Sequence, residues 1–166
     1  LIDFSPTRVQ NGTKSFVDNN AIKWWKEGGL VSCCWHWNAP MNLKNNDAQY
    51  EHWYDGFRTQ ATTFDLQKAL NDRSSEEYKA LMRDIEAITL PLKKMQQEGV
   101  VLLWRPLHEA SGGWFWWGAH GADDYIRLYR LLYEQLTYVH GINNLIWVWN
   151  GQDPLWYPGD DVVDII

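Results

Sequence analysis

Short apolar runs of strand length alternate with longer amphipathic stretches along this chain, and few architectures accept that order. Leu30 to Trp37, Val100 to Trp104 and Leu145 to Trp149 are apolar runs bounded by turn signals, the pattern of strands covered on both faces. Ahead of the first run, Thr13 to Glu27 has the spacing of a helix, with Phe16, Val17, Ile22 and Trp25 expected to turn inward and Gly28-Gly29 as its stop. A second helix is predicted from Glu76 to Gln97, with Ser74 or Ser75 as its cap and an apolar stripe at Leu81, Ile85, Ile88 and Leu92. Pro91 is expected to kink it and Gly99 to end it. A third opens at Asp123 or Asp124 and runs through Tyr138 to a stop at His140-Gly141. Residues 41–73 show no clear period and read as a long loop, a length that is uncommon unless it serves a function. Strand fragments at Leu1 to Phe4 and Asp161 to Ile166 flank the whole. This order implies a parallel sheet covered by helices, read as the middle of something larger.

A chain of 166 residues can build one domain with a real core. Its net charge of -6 and pI near 5.3, with no basic cluster, argue against nucleic acid as a partner. No apolar run approaches the length that spans a membrane. Cys33 and Cys34 are adjacent, so on a strand they point to opposite faces and do not bridge each other. The pair has no metal-ligand spacing, and no metal or cofactor is expected. Asn11-Gly12-Thr13 fits an N-glycosylation acceptor, a tripeptide common by chance.

The chemistry concentrates at residues 104–118, WRPLHEASGGWFWWG. A strand leads directly into Arg105, His108 and Glu109, then into a Gly-Gly step and four consecutive aromatic residues, Trp114 to Trp117. In parallel α/β folds, active sites collect at that end of the strands. A carboxyl packed against aromatic rings loses hydration and holds its proton to higher pH, as a general acid must. Indoles stack on the apolar faces of pyranose rings, and charged side chains bind their hydroxyl rims. Twelve Trp are present, and without a cationic groove their surfaces point to sugar rather than to bases.

These residues resemble glycoside hydrolase family 26, chiefly its β-mannanases. Beside the 104–118 segment, the resemblance rests on DFSPTRV at 3–9, GGLVSCCWHWNAP at 28–40, TTFDLQKALND at 62–72 and NNLIWVWNGQDPLWYPGDDVVDI at 143–165. It implies a (β/α)8 barrel, of which this chain would cover the end of the second strand to the start of the sixth. Residues 1–166 would then form part of a catalytic domain, and the remaining strands of the barrel would be its partner. The implied reaction is retaining hydrolysis of β-1,4-linked mannan, glucomannan or galactomannan by an endo-acting, secreted enzyme. The same machinery acting on mixed-linkage β-1,3-1,4-glucan or on xylan is an alternative, and so is a non-catalytic carbohydrate-binding fragment.

By the same resemblance, Glu109 falls on the acid/base, and His108 on the His that orients and tunes it. Trp114 matches a sugar-stacking Trp, His36 a substrate-contacting His, and Arg105 the Arg of the RPxHE pattern. Trp37, Trp53 and Trp117 are expected to add sugar contacts, with Phe57 as an alternative to Trp53 in a loosely aligned loop. The nucleophilic Glu of the family belongs to the seventh strand, outside this chain. Arg105 would order carboxylates in the barrel mouth, and without that Glu it is expected to lack a partner. Trp35 and Trp37 flank His36, so the two indoles share one face of the extended chain and His36 takes the other.

Overall fold

Three parallel strands pair side by side in chain order, β1 (Val31–Cys34), β2 (Leu102–Arg105) and β3 (Leu145–Trp147). The computed structural model describes residues 1, 4–10, 12, 14–44 and 55–166. Asn11 and Thr13 of the acceptor tripeptide lie outside the described residues, as do two residues of the predicted first strand fragment. The register aligns Cys33 with Trp104 and Trp147, and Cys34 with Arg105. Val148 and Ile165 form a further parallel bridge, so the predicted last fragment does pair beside β3.

Alternation along the strands sorts the side chains onto two faces. Val31, Cys33, Leu102, Trp104 and Trp147 are buried on one face, while Cys34, Leu103, Arg105 and Ile146 are half-buried on the other. The extended segment after β1 keeps this alternation: Trp35 and Trp37 are buried and stacked on each other at 4.2 Å, and His36 is half-buried.

The helices are α1 (Pro6–Val9), α2 (Val17–Lys26), α3 (Leu66–Asn71), α4 (Glu76–Gln97) and α5 (Ala122–Glu134). Helix α4 forms where its signals predict. Ser75 Oγ accepts the Tyr78 N–H at 3.1 Å, and Gly99 takes a left-handed φ of +74° that ends the run. Leu81, Ile85, Ile88, Leu92 and Met95 recur every three or four residues and are all fully buried. Each such side chain stabilises the fold by about 1.5–3 kcal/mol through burial. The helix runs unbroken through Pro91. It packs against α2 and α3.

Several boundaries differ from the sequence expectation: α2 begins only at Val17 and leaves Phe16, expected to turn inward, exposed. The residue 41–73 segment contains a helix, α3, capped by Asp65, whose Oδ1 accepts the Lys68 N–H at 2.8 Å. Its six residues are too few to display a period inside a polar stretch. The helix predicted to reach Tyr138 is α-helical only to Glu134 and finishes in a π turn over Gln135–Val139. Among the described residues, no helix is long and apolar enough to cross a membrane.

Candidate active site

The turn that leaves β2 has an unusual backbone. Leu107 and Glu109 both hold positive φ, +50° and +57°, with His108 between them. A left-handed conformation costs roughly 1–3 kcal/mol at a non-glycine residue, more readily tolerated where surrounding contacts over-determine it. Those contacts are present. The Glu109 N–H donates to the Asn150 carbonyl at 2.9 Å, and Trp117 Nε1 donates to the His108 carbonyl at 3.0 Å. Gly118 sits so close to Ala110 that a Cβ there would stand 2.0 Å from the Ala110 carbonyl oxygen. The 110–118 loop is thereby folded back onto the turn, and Glu109 is left half-buried at the strand end.

His108 is 3% exposed and is ringed by aromatic groups. His36 lies edge-on to it with ring centroids 4.6 Å apart, Phe115 at 5.2 Å and Trp117 at 5.7 Å. Burial among these rings is the main cause that pulls the His108 pKa down to about 3. Burial also lowers that of His36, which faces Phe57 at 5.1 Å. Both imidazoles are therefore neutral near pH 7 and can accept as well as donate a hydrogen bond.

Arg105 is not left without a partner: its Nη1 donates to Asn150 Oδ1. Asn150 consequently grips the turn twice, through its side chain at Arg105 and its backbone at Glu109. Sequence reasoning passed over Asn150. Its signal was its place just beyond β3, at the same strand end that carries Glu109.

The aromatic residues divide sharply. Trp114 is 41% exposed, and its indole lies over Gly112, where a Cβ would meet the ring at 2.0 Å. It offers a ring face to a ligand. Trp37 and Trp117 do not, and their expected sugar contacts are corrected here. Both are fully buried. Trp37 stacks on Trp35 and donates from Nε1 to Asp84 at 2.8 Å, while Trp117 stacks on Phe115 at 4.5 Å. A ring enclosed by core has no face left for a sugar. Trp53 lies outside the described residues. Phe57, half-buried against His36 and Phe115, lines the site in the described part of that loop.

The arrangement brings Arg105, His108, Glu109, His36 and Trp114 to one end of the parallel sheet. Comparisons with known proteins bear on the family of the chain. A mannan endo-1,4-beta-mannosidase from Thermothelomyces thermophilus is 54% identical over 167 residues, covering all of this chain and 34% of that protein. Mannan endo-1,4-beta-mannosidase A from Piromyces sp is 40% identical over 90% of this chain and 23% of its own length. Among solved structures, the Podospora anserina GH26-CBM35 beta-(1,4)-mannanase superposes with a TM-score of 0.96 at 50% identity, over 99% of this chain and 37% of that one. The beta-mannanase of a symbiotic protist of the termite Reticulitermes speratus, complexed with gluco-manno-oligosaccharide, gives 0.77 at 39% identity, over 90% of this chain and 45% of that one. The chain thus spans about a third of the first of these relatives. The model of glycosyl hydrolase family 26 matches residues 1–166, and the chain belongs to that family.

Proposed function

We propose that this chain is the acid/base-bearing part of a retaining endo-β-1,4-mannanase, acting on mannan, glucomannan or galactomannan. The observation that carries the reading is Glu109, a half-buried carboxyl at the C-terminal end of a parallel strand, in a strained turn that Asn150 braces. On this reading β1, β2 and β3 are the third, fourth and fifth strands of a (β/α)8 barrel, and the segment at Ile165 begins the sixth. Residues 1–166 are then one part of a single catalytic domain, completed by the remaining strands.

In the first step Glu109 gives its proton to the glycosidic oxygen as the bond to the anomeric carbon breaks. A second carboxylate, outside this chain, attacks that carbon from the opposite face and forms a glycosyl-enzyme ester. Glu109, now ionised, takes a proton from the water that displaces the ester, and the nucleophile is regenerated. Retention needs the two carboxyls roughly 5–5.5 Å apart, so the position of Glu109 is the quantity the turn must hold.

His108 is too enclosed to meet a polymer, and it positions the turn and shapes the polarity around Glu109. His36 and Arg105 border the sugar on the inner face of the sheet, with Arg105 ordering carboxylates as well. Trp114 stacks on a pyranose ring. No metal or organic cofactor takes part in this reaction. A polymeric substrate assigns the work to a secreted enzyme.

Glu109→Ala in the complete enzyme tests the proposal. Hydrolysis of polysaccharide should be nearly abolished, while substrates with excellent leaving groups, which need no proton, should still react. Equal retention of activity on both would overturn the assignment. Reducing-sugar release from mannan, glucomannan, lichenan and xylan separates mannanase from glucanase or xylanase. Binding to mannan without product would favour a carbohydrate-binding role instead.

A further inference from the structure

We propose that Cys34, His36 and His108 form a binding site for a thiophilic divalent cation, zinc above all, on the inner face of the sheet beside Glu109. The three side chains bring one sulfur and two imidazoles together, and their candidate ligand atoms lie within 4.8 Å of one another. Cys34 Sγ is 3.7 Å from His36 Nδ1. Around a tetrahedral zinc with bonds of about 2.0–2.3 Å, donor atoms stand roughly 3.3–3.7 Å apart. One edge of the triangle is therefore already closed, and the others need small side-chain rotations.

The backbone supplies this grouping. Cys34 and His36 are two residues apart on an extended chain, so they share a face, and the strand register aligns Cys34 with Arg105. The turn after β2 then delivers His108 against His36 at a centroid distance of 4.6 Å. The third donor comes from another strand, which no local spacing reveals. Neither cysteine is in a disulfide.

An independent observation points to a ligand. His108 Nδ1 is buried and finds no hydrogen-bond partner among the described residues. An unsatisfied buried polar atom is costly, and a cation bound at this nitrogen, one of the two through which a histidine can ligate, would remove that cost. Of the nearby side chains, Glu109 favours a cation, while Arg105 and Arg58 oppose one. On binding, two imidazole lone pairs and the Cys34 sulfur form bonds to the metal, and the thiol proton passes to solvent. Three protein ligands leave one position for water.

The consequence for hydrolysis rests on the acid/base reading above. A dication held by His36 and His108 occupies the face on which the sugar would lie beside Glu109, so it excludes the substrate and inhibits. The test uses the complete enzyme, with cobalt(II) chloride as the spectroscopic probe and zinc chloride as the inhibitor. Cobalt should produce a thiolate-to-metal charge-transfer band that zinc displaces and that Cys34→Ala and Cys34→Ser both remove. Circular dichroism confirms that these variants are folded. Zinc should inhibit mannan hydrolysis reversibly, with chelator restoring activity, and the variants should need at least about tenfold more zinc, the lower end of what disturbing a metal site costs. Their metal-free rate should match the parent's. Absence of the band, or a band of equal strength in folded variants, overturns the site. A Cys34-dependent band in an enzyme whose hydrolysis zinc leaves untouched upholds the site and removes Glu109 from the reaction.

Discussion

Asn150 holds Glu109 by the backbone, accepting its N–H at 2.9 Å, although the two residues lie on loops that leave different strands. The same asparagine takes the Arg105 guanidinium with its side-chain oxygen. Asn150→Ala keeps the first contact and deletes the second. Hydrogen bonds to charged groups contribute about 1.5–3 kcal/mol, so kcat/KM on mannan should fall roughly ten- to hundredfold. Thermal denaturation should move little, because the backbone clasp on Glu109 persists. A large loss of stability with unchanged kcat/KM would assign Asn150 to the scaffold alone.

Gly112 lies under the Trp114 indole, with room for no Cβ. The indole is exposed and can swing away, so Gly112→Ala should displace the ring without disrupting the fold. If Trp114 stacks on sugar, KM for mannan oligosaccharides should rise severalfold at nearly constant kcat. Steady-state kinetics on a series of chain lengths reads this directly.

Asp84 is fully buried, accepts from Trp37 Nε1 at 2.8 Å and pairs with Arg83 at 2.6 Å. Asp84→Ala leaves the indole N–H without an acceptor and the guanidinium without its partner, and should destabilise the complete enzyme by about 2–4 kcal/mol. Asp84→Asn keeps an oxygen for Trp37 and should cost less. Chemical denaturation of the two variants side by side checks the order.

Acid stability follows from two groups of opposite sign. Burial lowers the His108 pKa from 6.5 to about 3, so between those values the unfolded chain binds more protons than the fold. Its contribution is complete above pH 6.5 and is lost as pH falls towards 3. Asp84 behaves in reverse. Burial outweighs its ion pair and raises its pKa from 3.8 to about 6, so its contribution is complete below 3.8 and is lost as pH rises through 6. Melting temperatures from pH 3 to 7 should therefore fall more steeply with acid in Asp84→Asn than in the parent, and less steeply in His108→Gln.

Much of the scaffold was legible because its signals are local. Helix α4 carries its cap, stripe and stop within a single stretch, and each strand is an apolar run between turn residues. Helix α3 escaped notice because six residues complete fewer than two turns. The residues of the proposed site drew attention for the same reason as α4: Arg105, His108, Glu109 and Trp114 share one segment. Asn150 and Cys34 did not, since their roles depend on which strand lies beside which. Trp37 shows a different failure. Its parity with Trp35 already assigned it to the covered face, but its aromatic character suggested a ligand contact. For Trp117, only the fold of the 110–118 loop reveals that its ring packs under Phe115.

The left-handed backbone at Glu109 also bears on how such a chain would drift. The residue proposed to do the chemistry occupies a conformation that glycine or asparagine would adopt with less strain. Replacing it with either should relax the turn by roughly 1 kcal/mol while ending proton transfer. A gene copy released from selection for cleavage would thus find inactivation and added stability in the same codon. Inactive descendants should then outlast active ones on heating, and position 109 would be among the first to change.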